Sequence, residues 1–259
     1  MKLIEKKILN FKMYLDKQDE GISKELLEHG YRERFSVDCI KKILRPDMNV
    51  LDLGANIGFY VLIESPVVNH VYAIEPVEYN YNLLSANIGL NNCKNVSTFR
   101  NAISSKTGKG KIYTSNRCNW ATIVDKNNRT EDYSRRWDKF AKGFENVEMF
   151  TLDDFTSKYD IKPDLIRMDV EGAEVDIIGG GLNTINNMAK DSYLVIEIHS
   201  SCIKDKDSIG KMLDKTKEAG FEVFKVVNRL QELPVEKVAD IRDYLIYRVG
   251  CPQVFFKKV

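Results

Sequence analysis

At 259 residues, with 43% apolar and 30% charged positions, the chain is long enough to bury one full core and too apolar to be disordered. Thirty-nine lysines and arginines against 38 aspartates and glutamates exclude a global basic field for gripping nucleic acid, though not a local patch. No apolar run approaches a membrane span, and the charged N-terminus lacks the apolar core of a signal peptide. Cys39, Cys93, Cys118, Cys202 and Cys251 are odd in number, scattered, and form no CxxC pair. That argues against a disulfide framework or a structural zinc site, and for a reducing, cytoplasmic setting.

Residues 1–48 carry apolar positions at helical spacing, among them Ile4, Ile8, Phe11 and Leu15, then Phe35, Val37, Ile40, Ile43 and Leu44 up to Pro46. The spacing predicts an N-terminal helical extension ahead of a main domain over 49–259. From Asn49 short apolar runs alternate with helical ones. Strands are predicted at 49–53, 70–75, 96–100, 164–169, 193–199, 221–227 and 243–249, and helices at 77–90, 171–179 and 207–219. This alternation implies right-handed βαβ units, a parallel sheet and a ligand site beyond the strands' C-terminal ends. The last two strands leave no room for a helix between them, and Pro234 lies in the connection, so an antiparallel end to the sheet is expected.

Residues 104–150 break the rhythm. Eight lysines and arginines within 111–142 face four acids, and the segment holds Trp120 and Trp137. An insertion this long reads as a lid or substrate-binding element, with a solvated excursion as the plain alternative.

The run VLDLGANIGFY at 50–60 feeds a strand into a glycine turn and a helix. Gly54 allows the turn and Gly58 a close approach of the helix. It is not the dinucleotide fingerprint, because position 56 is asparagine where that pattern has its middle glycine. Asp52 would be a poor neighbour for phosphate and a good one for a cation. Glu75, 21 residues beyond Gly54, stands where an acid accepts ribose hydroxyls. Together these carboxylates describe a pocket for a positively charged nucleoside without phosphate, and S-adenosyl-L-methionine fits.

With IEP at 74–76, TLDDF at 151–155, DLIRMDVEGAE at 164–174 and IEIH at 196–199, the chain resembles the FkbM-family methyltransferases over roughly residues 50–200. The resemblance implies a class I, Rossmann-like α/β fold with a seven-stranded sheet of order 3-2-1-4-5-7-6, its seventh strand antiparallel. It implies that Asp52, Gly54, Asn56 and Gly58 line the methionine end of S-adenosyl-L-methionine, that Glu75 with Pro76 meets the ribose, and that Asn101 and Ala102 border the adenine. Arg167 stands where lysine is expected, and the insertion is longer and more basic than usual.

Leu165, Arg167 and Asp169 share one strand face, and Val195, Glu197 and His199 another. Arg167 is expected to be neutralised by Asp52 or Glu197, since a buried charge needs a partner. Asp169 also counts among the cofactor residues. It and His199 end their strands where the methyl group would sit, so His199 is the expected base for an acceptor hydroxyl, with Glu197 to orient it and Asp169 as the other candidate. Glu171, Glu174 and Trp120 are weaker candidates for substrate contact. Asp169 with Glu197 or Glu171 could ligate magnesium, but nothing in the spacing requires it and no metal is assigned. The resulting expectation is O-methylation of a small molecule or saccharide. RNA methylation through the basic insertion is not favoured, and a non-catalytic binding domain is the third alternative.

Overall fold

The computed structural model describes residues 2–228, 231–233, 241–247 and 251–259. The chain opens on strands β1 (Leu3–Ile8) and β2 (Phe11–Asp16), followed by helices α1 (Ile22–His29) and α2 (Arg34–Ile43). The helical reading of residues 3–16 is therefore corrected: they form an antiparallel hairpin in which Ile8 faces Phe11 across the two-residue turn Leu9–Asn10. The separations Ile4–Ile8 and Phe11–Leu15 are both four, which satisfies a period of two as well as one of 3.6. The hairpin docks on the following domain by backbone, with the Tyr14 N–H donating to Asn87 Oδ1 (2.6 Å) and the Lys12 N–H to Asn91 Oδ1 (3.0 Å). Ile8, Met13, Leu15, Leu26 and Ile40 share one hydrophobic cluster with Val50, Val61, Leu84 and Phe255, so the first 48 residues help to build the main core.

The βαβ region follows as β3 (Asn49–Leu53), α3 (Phe59–Glu64), β4 (His70–Ile74), α4 (Glu78–Leu90) and β5 (Val96–Phe99). A small sheet comes next, built from β6 (Ala102–Ile103), β7 (Gly108–Ser115) and β8 (Ala141–Phe150), with α5 (Glu131–Asp138) in the β7–β8 connection. The chain then runs through α6 (Leu152–Lys158), β9 (Leu165–Met168), α7 (Glu174–Gly179), α8 (Leu182–Asn187), β10 (Tyr193–Glu197) and α9 (Lys206–Glu218). It ends in β11 (Phe221–Asn228), β12 (Gln231–Leu233), α10 (Ile241–Tyr247) and β13 (Gln253–Lys258).

The main sheet has the order β12-β11-β13-β10-β9-β3-β4-β5. It is parallel from β10 to β5, and β13 lies antiparallel between β10 and β11. The expected seven strands thus become eight, because the short β12 pairs antiparallel with β11 at the edge. A second correction concerns 243–249. That stretch falls on α10, where Leu245 and Ile246 are buried, Arg242 pairs with Asp214 of α9 (2.6 Å), and residues 248–250 lie outside the described residues. The antiparallel strand is β13 instead. Three adjacent apolar residues do not distinguish a short buried strand from a packed helix face. In β13, Val254 and Phe256 enter one core cluster and Phe255 the other, as a strand covered on both faces requires. All five cysteines are free, and no helix among the described residues is long and apolar enough to cross a membrane.

Candidate active site

The switch in strand order at β3 places the turn after that strand beside the ends of β4 and β9. Gly54 has φ +82, and an added Cβ would stand 2.0 Å from the Asp169 carbonyl oxygen, so glycine is required for the loop to meet the end of β9. Gly58 serves packing instead: at φ +91 it opens α3, and a Cβ there would meet Leu84 Cδ1 of α4 at 2.8 Å.

A cleft lies over these strand ends. Its walls include Gly54, Asn56, Glu75, Pro76, Asn80, Asn101, Ala102, Asp169 and Glu171, and on the far side Ile112, Cys118, Asn119, Ala121 and Ile123 of the 104–150 segment. Asp52 and Gly58, expected at the methionine end of the cofactor, are not on its walls. Asp52 is fully buried below the cleft, because β3 and β9 pair Asp52 opposite Arg167 and the guanidinium reaches it at 2.8 Å. Arg167 Nη2 also holds Asp169 at 3.2 Å, and its guanidinium lies 3.8 Å from the Tyr60 ring centroid. Burial opposes the Arg167 charge, but Asp52 and Asp169 keep its pKa well above the ordinary value.

Glu75 is buried at the cleft wall, accepting from the backbone N–H groups of Asn56 and Val77, each at 2.9 Å. Burial outweighs these bonds and pushes its pKa up to about 7. A carboxyl whose folded pKa exceeds its unfolded value of 4.5 costs stability once ionised. The free protein should therefore lose about 3 kcal/mol as pH rises from the unfolded value through the folded one, with no further loss above it. Melting curves across that window should be flatter for Glu75→Gln than for the wild type.

His199 is buried in a ring of carboxylates. Its Nδ1 lies 2.7 Å from Glu174 Oε1, and its Nε2 faces Glu171 (3.6 Å), Glu197 (3.7 Å) and Asp169 (3.8 Å). Burial disfavours the imidazolium, yet Glu171, Cys251 and Glu174 hold its pKa well above the ordinary histidine value. These acids favour the charged form of His199, which weighs against its expected role as the base. Glu174, not Glu197, orients it. Glu197 accepts from Gln253 Nε2 at 3.1 Å, and burial and then Asp169 push its pKa up to about 8. Asp169, Glu171 and His199, and separately Glu197, His199 and Cys251, are the groups among the described residues that could hold a metal ion. His199 is common to both groups.

Several members of this site escaped the sequence reading. Glu33 accepts from Tyr60 Oη (2.7 Å) and from Gln253 Nε2 (2.9 Å), tying the α1–α2 connection to β13. The Cys118 carbonyl accepts from Asn56 Nδ2 and Asn80 Nδ2, and its N–H donates to Asp19 Oδ1, each at 2.9 Å. Asn80 was within reach, one turn beyond the IEP motif; the others come from segments with no motif of their own.

The basic insertion spends much of its charge internally. The Arg117 guanidinium sits between the rings of Trp120 (4.5 Å) and Phe140 (4.2 Å), and Arg129 between Trp137 (4.6 Å) and Tyr113 (5.1 Å). Arg136 pairs with Asp132 (3.0 Å) and Lys126 with Asp138 (2.7 Å). Trp120 packs on Phe140 and Glu174 bonds His199, and neither lines the cleft.

A doubly wound sheet with a glycine turn, an acid ending the neighbouring strand and carboxylates ending the next defines a class I methyltransferase. Residues 52–223 match the Methyltransferase FkbM domain, and the chain belongs to that family. It is 31% identical over 184 residues to methyltransferase sdnD of Sordaria araneosa, covering 62% of this chain and 71% of that one. It is 24% identical over 208 residues to the hexuronic acid methyltransferase AglP of Haloferax volcanii, covering 73% and 78%. Among solved structures, methyltransferase FkbM from Methylobacillus flagellatus superposes with a TM-score of 0.50 at 16% identity, over 82% of this chain and 44% of that one. This chain thus spans less than half of that protein. The AdoMet complex of Methanocaldococcus jannaschii TYW2 gives a TM-score of 0.50 at 13% identity, over 100% and 88%, a likeness of fold.

Proposed function

We propose that this chain transfers a methyl group from S-adenosyl-L-methionine to a hydroxyl of a small molecule or saccharide. The observation that carries the reading is the cleft itself, where Glu75, the Gly54 turn and the carboxylates of Asp169 and Glu171 converge. A buried acid suits ribose hydroxyls, a turn that excludes a Cβ lets backbone approach a ligand, and an excess of carboxylates complements a cation. When bound, the cofactor supplies an electrophilic methyl group. Asp169 faces the cleft and takes the acceptor proton. His199, held by Glu174, stands between Asp169, Glu171 and Glu197 and fixes where their side chains lie. Asp169→Asn should lower turnover by about 10²–10⁴-fold while leaving S-adenosylhomocysteine affinity within about threefold, read by single-turnover kinetics and calorimetry.

The relative named for a hexuronic acid supports a saccharide acceptor, and the internal pairing of the insertion's arginines weighs against an RNA groove. Labelled S-adenosyl-L-methionine supplied with fractionated extract tests this: label should enter a small-molecule or glycan fraction. Label confined to RNA, or tighter binding of NAD than of S-adenosylhomocysteine, would overturn the reading.

The insertion acts as the lid in this scheme. The cleft encloses about 60 Å³, room for a few water molecules and far too little for a nucleoside. On the outer side of Cys118 lies a second hollow of about 550 Å³, sharing Asn80, Cys118 and Ala121 as walls. Entry requires the segment 117–121 to lift. Hydrogen exchange at 116–123 should change when S-adenosylhomocysteine binds; unchanged exchange there would reduce the insertion to a passive excursion.

A further inference from the structure

Arg32, in the connection between α1 and α2, is 5% exposed. One of its nitrogens, Nη2, pairs with Glu33, while Nε and Nη1 are buried without an acceptor. Glu33 is itself divided, since it also accepts from Tyr60 and Gln253. Arg167, buried to a similar degree, has two carboxylates and an aromatic face and leaves one nitrogen, Nε, without an acceptor. Buried cationic donors left unspent are costly, and native interiors rarely keep them without a use.

The surroundings indicate the use. The segment 117–121 packs against the same N-terminal stretch: Cys118 N–H bonds Asp19, and a Cβ on Gly21 would stand 2.4 Å from Asn119 Oδ1. Glu33, the partner of Arg32, accepts from Tyr60, and on the Tyr60 ring lies the Arg167 guanidinium that holds Asp169, a wall of the cleft. The Arg32–Glu33 pair therefore adjoins the end of the cleft marked by Gly54 and Asp169, on the N-terminal stretch that the lid segment covers.

We propose that Arg32 is a carboxylate receptor at this end of the cleft, engaged when the 117–121 segment lifts. This rests on the cofactor reading above. A guanidinium is the side chain best matched to a carboxylate. The acids already nearby, Glu33 and Asp169, favour a singly charged anion over a phosphate dianion. Two sources supply such a group: the amino-acid carboxylate of the cofactor, or the carboxylate of a uronic acid acceptor.

Calorimetry on the full chain separates them. S-adenosylhomocysteine, 5′-methylthioadenosine (the nucleoside without the amino-acid end) and glucuronate added to S-adenosylhomocysteine-saturated protein are titrated into wild type, Arg32→Gln and Arg32→Lys. The double variant Arg32→Gln/Glu33→Gln, which leaves no unpaired charge behind, covers misfolding of Arg32→Gln. If the cofactor is the source, S-adenosylhomocysteine should bind Arg32→Gln about 10- to 100-fold more weakly, with 5′-methylthioadenosine unchanged and Arg32→Lys intermediate. If the acceptor is the source, the nucleosides should bind as in wild type and glucuronate binding should be lost. The proposal is overturned if all three ligands bind the variants as they bind wild type, or if both nucleosides weaken equally. Failure of wild type to bind either nucleoside would instead overturn the cofactor reading, and Arg32's role with it.

Discussion

Gly54→Ala is expected to remove measurable S-adenosylhomocysteine binding and to destabilise the free protein by about 2–5 kcal/mol. Two effects add. The residue sits at φ +82, in the left-handed region that costs a side-chain-bearing residue roughly 1–2 kcal/mol. The new Cβ would also stand 2.0 Å from the Asp169 carbonyl oxygen and 3.0 Å from its carbonyl carbon. Both atoms are backbone at the end of β9, so relief requires moving the glycine turn away from β9, and forced shifts of this kind cost about 1–3 kcal/mol. Gly30→Ala is the control. That residue has a similar φ of +73 at the end of α1, but a Cβ there meets nothing within 4 Å, so it should show the conformational cost alone. Denaturant titration and calorimetry on both variants separate the two effects. Near-normal ligand affinity in Gly54→Ala would mean that the turn is not part of the cofactor cradle.

Arg167→Met should cost about 3–5 kcal/mol, because it strips the fully buried Asp52 of its partner, leaving a carboxyl that burial already pushes toward its protonated form, and frees Asp169 from its anchor. Arg167→Lys should recover little of this. A single ammonium cannot span Asp52 and Asp169 while lying flat on the Tyr60 ring. Adding Asp52→Asn to Arg167→Met should restore part of the loss, since the double change removes both charges together. Chemical denaturation of the four proteins completes the cycle; a single Arg167→Met with wild-type stability would show that the pair is not holding the sheet centre. Glu64 lies in the same buried region, with both carboxyl oxygens unpartnered; burial, then the Asp52 charge, hold its pKa well up.

Local patterns in this chain determined the βαβ core. The strands β3, β4, β5, β9, β10 and β11 and the helices α4 and α9 were legible because each is a run of one period bounded by turn residues. The cleft residues that follow those strands, Gly54, Asn56, Glu75, Pro76, Asn101, Ala102 and Asp169, were legible for the same reason: in a parallel sheet, position in the chain gives position at the ligand end. The pairing of Arg167 with Asp52 also followed from strand order and the need of a buried charge for a partner.

What only the tertiary structure decided concerns side chains whose meaning depends on distant neighbours. Asp52 was read toward a ligand, but its register opposite Arg167 takes it below the cleft. His199 was read as a base oriented by Glu197, but its close partner is Glu174 at the start of α7, and Glu171 and Glu174 favour its charged form. The hairpin β1–β2 and the helix α10 carry apolar spacings that suit either period, and packing on α4 and α9 selects one. Arg32, Glu33, Gln253 and Cys118 lie outside the motifs, and Tyr60, at the end of the glycine-turn run, carries no signal of its partners. Their roles exist only where the folded chain brings buried charges and hydrogen-bonding groups together, and a linear reading holds no information about which of them meet.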